Sequence, residues 1–272
     1  MKTIYLLITS ILLFSNTITC YSQEPAGYTL VWQDEFDSPS NGKAILPGDK
    51  WWFETGGHGW GNNELQYYVD RTYGTDTVAR IKDGMLIISA IKLPVALDGK
   101  EYISARMNTK QAWKYGYFEA RAKVAPGKGT WAAFWMLPEK FTSWPLDGEI
   151  DIMEYVGYRP DVTQASIHTQ SYNHVAKTEK TATKNIENAE SEFHTYGLEW
   201  TEDRITGFVD GKPYFTFVND GRGDKNTWPF DVPFYLKLNL AIGGNWGGLH
   251  GVDSDIFPAV YEVDYVRVYQ KQ

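Results

Sequence analysis

The sequence is dominated by short runs in which apolar and polar residues alternate, separated by glycine-containing turns. Residues 117–124 (YFEARAKV) alternate small or apolar side chains with larger polar ones, which is typical of an antiparallel strand with one buried face. Asp210-Gly211 joins two such runs, and this dipeptide favours a tight hairpin turn. Because helical periodicity is almost absent, the sequence predicts an all-β sandwich or barrel.

The predicted strands are runs rich in β-branched and aromatic residues between turn signals. They cover residues 29–36, 85–91, 102–109, 116–124, 131–137, 149–154, 163–169, 195–201, 204–209, 213–218, 234–242 and 261–269. Residues 177–192 are predicted as a helix or long loop, too polar for a core. With 272 residues, 43% of them hydrophobic, the chain can build one large core, so residues 21–272 are predicted to form a single domain.

The first 20 residues are predicted to be a signal peptide. Lys2 precedes an apolar run over residues 4–14, which is shorter than the ~20 residues that a membrane-spanning helix needs. We therefore expect an exported bacterial protein that is secreted, periplasmic or attached to the cell surface. Cys20 is the only cysteine in the chain, so it has no intramolecular disulfide partner. It is either the lipidated residue of a membrane-anchored lipoprotein or a residue removed with the signal, since Thr17 and Thr19 depart from the usual lipoprotein pattern.

Charge and aromatic content limit the possible partners. The formal net charge is −8, which argues against nucleic acid and anionic membrane surfaces as ligands. The chain has 11 Trp and 18 Tyr. Most of them are expected in the core, and exposed rings suit the flat apolar faces of sugars. We expect a monomer.

The stretch DGEIDIMEYVG, residues 147–157, carries three acids with conflicting strand parity. In a regular strand Glu149 and Asp151 share one face, while Glu154 lies on the opposite, apolar face with Ile152. Burying an unpaired carboxylate there is costly. A β-bulge that absorbs Met153 would return Glu154 to the face of the other two acids.

Three carboxyl groups on one face can have three meanings. They can be an ordinary solvated strand face, or oxygen ligands for Ca²⁺. They can also be catalytic, because close carboxyl groups push their pKa values apart, and glycoside hydrolysis needs one ionised and one protonated acid.

The acidic strand resembles the ExDxxE signature of glycoside hydrolase family 16, in its laminarinase-like, bulge-containing branch. Further stretches resemble the family in the same order, so that the resemblance covers residues 28–270. They are VWQDEFD (31–37), GWGNNELQYY (59–68), KYGYFEARAKV (114–124), WAAFWMLP (131–138), FHTYGLEW (193–200), NLAIGGNWGG (239–248) and VDYVRVYQ (263–270).

The resemblance implies a β-jelly-roll sandwich of two curved antiparallel sheets with a concave substrate cleft. It also implies a retaining mechanism with a covalent glycosyl-enzyme intermediate. Glu149 would be the nucleophile, Glu154 the general acid/base, and Asp151 their assistant.

The substrate-binding residues that the resemblance implies each have a structural alternative. Trp131 and Trp135 can stack on sugars or belong to the core, Arg106 can bind hydroxyls or form an ion pair, and Trp246 can clamp substrate or cap the sandwich. His168 is expected beside the acid/base, unless it is only structural. The full predicted set is Asn62, Glu64, Arg106, Trp131, Trp135, Trp144, His168 and Trp246.

No catalytic cofactor is implied, but a structural Ca²⁺ ion is common in this family. Glu35, the carbonyl of Gly84 and Asp264 match its usual ligand positions, on the convex side away from the cleft. The alternative is that Asp264 faces solvent or pairs with Arg267.

The leading hypothesis is an endo-β-glucanase acting on β-1,3 or mixed β-1,3-1,4 linkages, as in laminarin or barley β-glucan. The alternatives are an agarase-type galactanase of the same family and a non-catalytic glucan-binding sandwich. The second of these would have no need for both Glu149 and Glu154.

Overall fold

The computed structural model describes residues 25–37, 44–46 and 48–271, with the side chains of residues 44 and 45 left undescribed. The predicted signal peptide, including Cys20, lies outside these ranges. Within them, no helix is long and apolar enough to cross a membrane.

The described ranges contain twenty β-strands and one short 3₁₀ turn, Ser254–Ile256. The strands are β1 Tyr28–Asp34, β2 Ala44–Ile45, β3 Trp51–Phe53, β4 Gln66–Tyr68, β5 Thr72–Tyr73, β6 Asp76–Thr77, β7 Ala79–Lys82, β8 Met85–Leu97, β9 Lys100–Ser104, β10 Arg106–Trp113, β11 Gly116–Lys123, β12 Thr130–Pro138, β13 Glu149–Val156, β14 Val162–His168, β15 Lys180–Asn185, β16 His194–Trp200, β17 Arg204–Val209, β18 Lys212–Val218, β19 Phe234–Ile242 and β20 Ala259–Lys271.

Two large sheets form the sandwich. The eleven-stranded sheet has the order β18-β17-β16-β11-β20-β8-β7-β2, with β1 joined to β20 and with β9 and β4 branching from β8. The seven-stranded sheet has the order β15-β14-β13-β12-β19-β10-β3. Of the described pairings, only β4 with β9 is parallel. This arrangement confirms the predicted all-β sandwich.

The core lies between the sheets and follows the alternation of the strands. On β12 the side chains of Ala132, Phe134 and Met136 are fully buried, whereas Trp131 and Trp135 on the other face remain partly exposed. Burying a side chain as large as Phe134 contributes roughly 1.5–3 kcal/mol. The opposite face of the seven-stranded sheet is therefore free to carry a functional cleft.

The structure corrects two of the predicted elements. Residues 102–109, predicted as one strand, divide at Ala105 into β9 and β10, which belong to different sheets. The run YISARMNT contains no glycine or proline, so no turn residue marks the break. Residues 177–192 are not a helix but contain β15, whose side chains are mostly exposed. β15 is an edge strand and shows no apolar alternation. The predicted Asp210-Gly211 turn is confirmed, since both residues have the positive φ angles that a tight hairpin needs.

Candidate active site

A β-bulge in β13 brings the three acids to one face. Between Asp151 and Glu154 the pairing with β14 slips by one residue, and the pairing with β12 skips Ile152. Ile152 and Met153 are both fully buried. The predicted bulge is therefore confirmed, except that on the β12 side Ile152 rather than Met153 is unpaired. Met153 instead lies opposite Phe134 and packs in the core.

The acids line a cleft of about 440 Å³ on the outer face of the seven-stranded sheet. Glu149, Asp151 and Glu154 all contribute to its wall. Six of the predicted binding residues also line it: Asn62, Glu64, Arg106, Trp131, Trp135 and Trp144. Side chains from strands β10, β12 and β13, from the segment between β3 and β4 and from the loop between β12 and β13 thus meet in one place.

His168 lies at the Glu149 end of the acidic row. It pairs with Glu149 across β13 and β14, and its Nε2 is 3.8 Å from Glu149 Oε1 and 3.3 Å from Asp151 Oδ2. The residue opposite Glu154 on β14 is Gln164. The expectation that His168 accompanies Glu154 is therefore wrong. His168 is the strand partner of the proposed nucleophile.

Burial raises the pKa values of all three acids. For Glu149 burial is the largest cause and the neighbouring Asp151 the next, and together they raise its pKa to about 8, while the charge of His168 lowers it. Burial also raises the pKa of Asp151. For Glu154, burial and then the charge of Asp151 raise the pKa well above its ordinary value. The three groups consequently carry fewer than three negative charges at neutral pH.

Two tryptophans of β12 are held in the cleft by hydrogen bonds from their indole N–H groups, and one of these bonds goes to an acid. Trp131 Nε1 donates to Glu154 Oε1 at 3.1 Å, and Trp135 Nε1 donates to Asn239 Oδ1 at 2.7 Å. Trp246 packs edge-on against Trp131, with ring centroids 5.4 Å apart. Trp246 is not among the residues that line the described cleft, so its contact with the acids is indirect.

A buried ionic cluster forms the other wall, and sequence reasoning did not identify it. Glu54 Oε2 accepts hydrogen bonds from Arg106 Nε at 2.6 Å and from Lys237 Nζ at 2.7 Å. The guanidinium of Arg106 lies between the rings of Trp60 and Trp135, 4.5 and 4.8 Å from their centroids. Arg106 thus lines the cleft, as a substrate-binding residue would, and it also forms an ion pair, which was the structural alternative predicted for it.

Glu64 is held at the same end of the cleft by a hydrogen-bond network. It is buried, and its Oε2 accepts from Gln66 Nε2 at 2.6 Å and from Tyr68 Oη at 3.1 Å. Burial raises its pKa. Tyr68 also accepts a hydrogen bond from Asn239 Nδ2, so this network reaches Trp135. The arrangement places fixed polar groups where sugar hydroxyls would bind.

Trp144 lies at the end of the cleft where His168 stands. Its ring is 4.9 Å from that of His174 and 5.9 Å from that of His168. His174, Val175 and Phe141 line the cleft beside it. No sequence motif points to these last three residues, because they come from loops.

The predicted calcium ligands lie in a different part of the molecule. Both carboxylate oxygens of Glu35 accept hydrogen bonds from Arg267 at 2.8 Å, and Asp264 Oδ2 accepts one from Arg121 at 2.6 Å. A Cβ atom placed on Gly84 would lie 3.7 Å from Asp37 Oδ1. Arginines thus engage the carboxylates of both Glu35 and Asp264, whereas the Asp37 carboxylate lies near Gly84.

A curved antiparallel sandwich with carboxyl groups and tryptophans along a cleft defines a carbohydrate hydrolase of the two-carboxylate type. The family model "Glycosyl hydrolases family 16" matches residues 66–267, and the chain belongs to this family. This confirms the resemblance drawn from the sequence.

Relatives cover nearly the whole chain. Over 259 residues it is 46% identical to a beta-glucanase from Rhodothermus marinus, with 92% of this chain and 87% of the relative covered. Over 256 residues it is 39% identical to a glucan endo-1,3-beta-glucosidase from Cryptopygus antarcticus, with 88% and 91% covered.

One of the solved structures similar to this chain contains a bound oligosaccharide. A variant of SCLam, a non-specific endo-beta-1,3(4)-glucanase from family GH16, matches with a TM-score of 0.83 at 46% identity, over 91% of this chain and 96% of that one. It was co-crystallised with 1,3-beta-D-cellotriosyl-glucose and presents 1,3-beta-D-cellobiosyl-glucose at its active site.

Proposed function

We propose that the chain is a retaining endo-β-glucanase that hydrolyses β-1,3 linkages, or β-1,4 linkages next to them, in laminarin or mixed-linkage glucan. The bulge at Ile152 and Met153 carries this proposal, because it places Glu149, Asp151 and Glu154 in one cleft. Membership of the family and the glucanase activity of its relatives support it.

The first step forms a bond between a Glu149 oxygen and the anomeric carbon, while Glu154 gives its proton to the departing glycosidic oxygen. Burial favours the protonated form of Glu154 in the resting enzyme. Water then attacks the anomeric carbon, Glu154 takes its proton, and the bond to Glu149 breaks. The anomeric configuration is retained because the carbon is inverted twice.

Asp151 is, after burial, the next influence on the ionisation of Glu149. Burial favours the protonated form of Asp151, and a neutral Asp151 no longer opposes the negative charge on Glu149. His168, 3.8 Å from Glu149 Oε1, favours the same ionised state when it is positively charged. These two neighbours therefore support a carboxylate nucleophile inside a largely apolar cleft.

The charges of the cleft favour a neutral polysaccharide. Among the described residues that line it, Arg106 is the only arginine or lysine, and it is ion-paired with Glu54. A sulfated galactan would require cations free to bind sulfate groups. Tryptophan faces and fixed hydrogen-bond groups suit uncharged glucosyl units.

The decisive experiment measures reducing-sugar release from laminarin and barley β-glucan. Glu149→Gln should lower kcat by at least about 10³-fold, because the nucleophile is lost, while Glu187→Gln on an exposed loop serves as the matched control. Proton NMR should show β-anomers as the first product of the wild type. Wild-type protein that binds glucan without releasing sugar would favour the glucan-binding alternative, and a fully active Glu149→Gln variant would exclude this nucleophile.

We also propose that the protein is exported and that Cys20 decides between a soluble and a membrane-anchored form. The apolar run over residues 4–14 supports export. The mass of the mature N-terminus tests the anchor. A diacylglycerol mass on Cys20 would establish it, whereas a mature chain beginning after Cys20 would exclude it.

We further propose a structural Ca²⁺ ion bound by Glu35, the carbonyl of Gly84 and Asp264, as the resemblance implies, with Asp37 near Gly84 as an additional oxygen donor. Oxygen-only ligation suits this ion. An ion that binds only the folded state raises Tm, so CaCl₂ should raise Tm relative to EDTA, and Asp264→Asn should remove the difference. Equal Tm values in CaCl₂ and EDTA would contradict the site.

A further inference from the structure

Three potential ligand atoms converge beside the acidic row. His168 Nε2, one oxygen of Asp151 and one oxygen of Glu149 all lie within 4.8 Å of one another. Asp151 is 4% exposed, and its Oδ2 makes no hydrogen bond in the described structure although it lies 3.3 Å from His168 Nε2. A buried carboxylate oxygen without a hydrogen-bond donor, next to an imidazole, is an incomplete polar site.

The chemistry of these donors selects the type of ion. Calcium prefers oxygen ligands alone, whereas one imidazole nitrogen with two carboxylate oxygens suits Zn²⁺ and similar borderline cations. Zinc bonds of ~2.0 Å in a tetrahedron put ligand atoms about 3.3 Å apart. The Asp151–His168 distance of 3.3 Å already matches, and the Glu149–His168 distance of 3.8 Å requires a small side-chain adjustment.

Glu149 is placed to make that adjustment. Its side chain is 18% exposed and faces the cleft, whereas Asp151 and His168 are held in the wall at 5% and 8%. The fourth coordination position would open towards the cleft and hold water. The charges of Arg106 and Lys237 act on Glu149 from the other wall and oppose cation binding.

We propose that Glu149, Asp151 and His168 bind one borderline divalent cation such as Zn²⁺ in competition with substrate. The ion would occupy the Glu149 oxygen that attacks the anomeric carbon. The inhibitory part of this inference rests on the proposed glucanase function, whereas binding of the cation does not.

Calorimetric titration of the full chain with ZnCl₂, in a buffer that does not chelate zinc, tests the binding. We expect one site, and an affinity at least about tenfold weaker in His168→Gln, since a ligand is lost. Glu149→Gln should weaken binding similarly and serves as a second variant. His250→Gln is the matched control, because His250 is exposed and packs on Tyr158 outside the cleft.

Kinetics test the competition separately. Zinc should raise KM for laminarin with kcat unchanged, and EDTA should reverse the effect. Wild-type protein that binds no zinc at millimolar concentration, or a folded His168→Gln variant with wild-type affinity, would overturn the proposal. Zinc binding that depends on His168 in a chain without glucanase activity would uphold the site and reject the proposed function.

Discussion

Lys237 is a cation that the fold holds out of contact with water behind the cleft wall. It is fully buried, it donates to Glu54 and Asn108, and it faces the rings of Trp135 and Tyr235 at 4.9 and 5.1 Å. Burial, and next the neighbouring Arg106, lower its pKa to about 7. Below that pH it is charged and favours the ionised form of Glu149.

We therefore expect Lys237→Met to move the acid limb of the pH profile of kcat/KM to higher pH. The variant removes a positive charge that lowers the pKa of Glu149, so that a smaller fraction of the nucleophile is ionised at any acidic pH. Arg106 still pairs with Glu54, which limits the loss of stability. Lys128→Met, which breaks an exposed pair with Asp253, should leave the limb in place, and an unmoved limb in both variants would contradict this electrostatic role.

For single residues, the sequence supported correct predictions where the pattern lies within a few neighbouring positions. The parity of Glu154 lies within six residues and predicted both the bulge and the shared face. The ion pair of Glu54 with Lys237 joins residues 183 positions apart, so no short pattern contains it. The one sequence feature that could have indicated this ion pair is the single lysine inside the apolar strand β19. His168 was misplaced because its expected position came from the resemblance and not from a strand register, and the register that sets His168 opposite Glu149 sets Gln164 opposite Glu154.

The loop over residues 139–148 is organised by one carboxylate. Asp147 Oδ2 accepts three hydrogen bonds at 2.7 Å, from the main chain and hydroxyl of Thr142 and from the main chain of Ser143, while Oδ1 binds Lys225. Burial alone would raise the pKa of Asp147, but these bonds lower it overall. The loop carries Trp144 and leads directly into Glu149.

Asp147→Asn should raise KM more than it lowers kcat. An amide cannot accept all these bonds while also meeting Lys225, so we expect a loss of about 1–3 kcal/mol in stability and a misplaced Trp144. The acids on β13 keep their own strand pairing, so the chemical step should change less. Steady-state kinetics on laminarin test this, with Asp253→Asn as the control. A large fall in kcat at constant KM would contradict the positioning role.

Buried strands could be predicted from the sequence more accurately than exposed ones. The strand predicted at 234–242 matches β19, which has strands on both sides and is almost entirely buried. β15 was missed because an edge strand in solvent has no apolar face to reveal it. β9 and β10 were merged because no glycine or proline lies between them, and only the change of sheet at Ala105 separates them.

For the whole molecule, the catalytic acids are a source of instability that grows with pH. The pKa of Glu149 is about 8 in the folded chain against an ordinary value of 4.5. The folded state thus binds more protons than the unfolded state between these values, and the free energy of unfolding falls as pH rises through this window. Each unit of the shift is worth at most about 1.4 kcal/mol.

Accordingly, Glu149→Gln should have a Tm close to that of the wild type at pH 4 and a higher Tm at pH 8. The neutral amide has no charge to bury, and each kcal/mol corresponds to about 2–4 °C. Differential scanning calorimetry across this pH range measures the difference. Glu187→Gln should show no such trend, and a Tm difference independent of pH would exclude the linkage.

The all-β sandwich was the feature most easily predicted, because alternating apolar and polar residues between turn residues specify strands, and strands must pair. The jelly-roll arrangement came from the resemblance rather than from the pattern. The order of strands within a sheet depends on contacts between distant segments, such as β12 with β19. The alternation of apolar and polar residues along one strand does not show which strands pair with it.

The position of β13 has a consequence for behaviour on heating. It is hydrogen-bonded along both edges, to β12 and β14, so its amide protons should exchange with solvent mainly through global unfolding. The loops that carry Trp144 and His174 have no such double anchorage and can open at lower free energy. As the temperature rises, binding of the glucan should therefore weaken first. The catalytic acids on β13 should keep their arrangement until the whole fold unfolds.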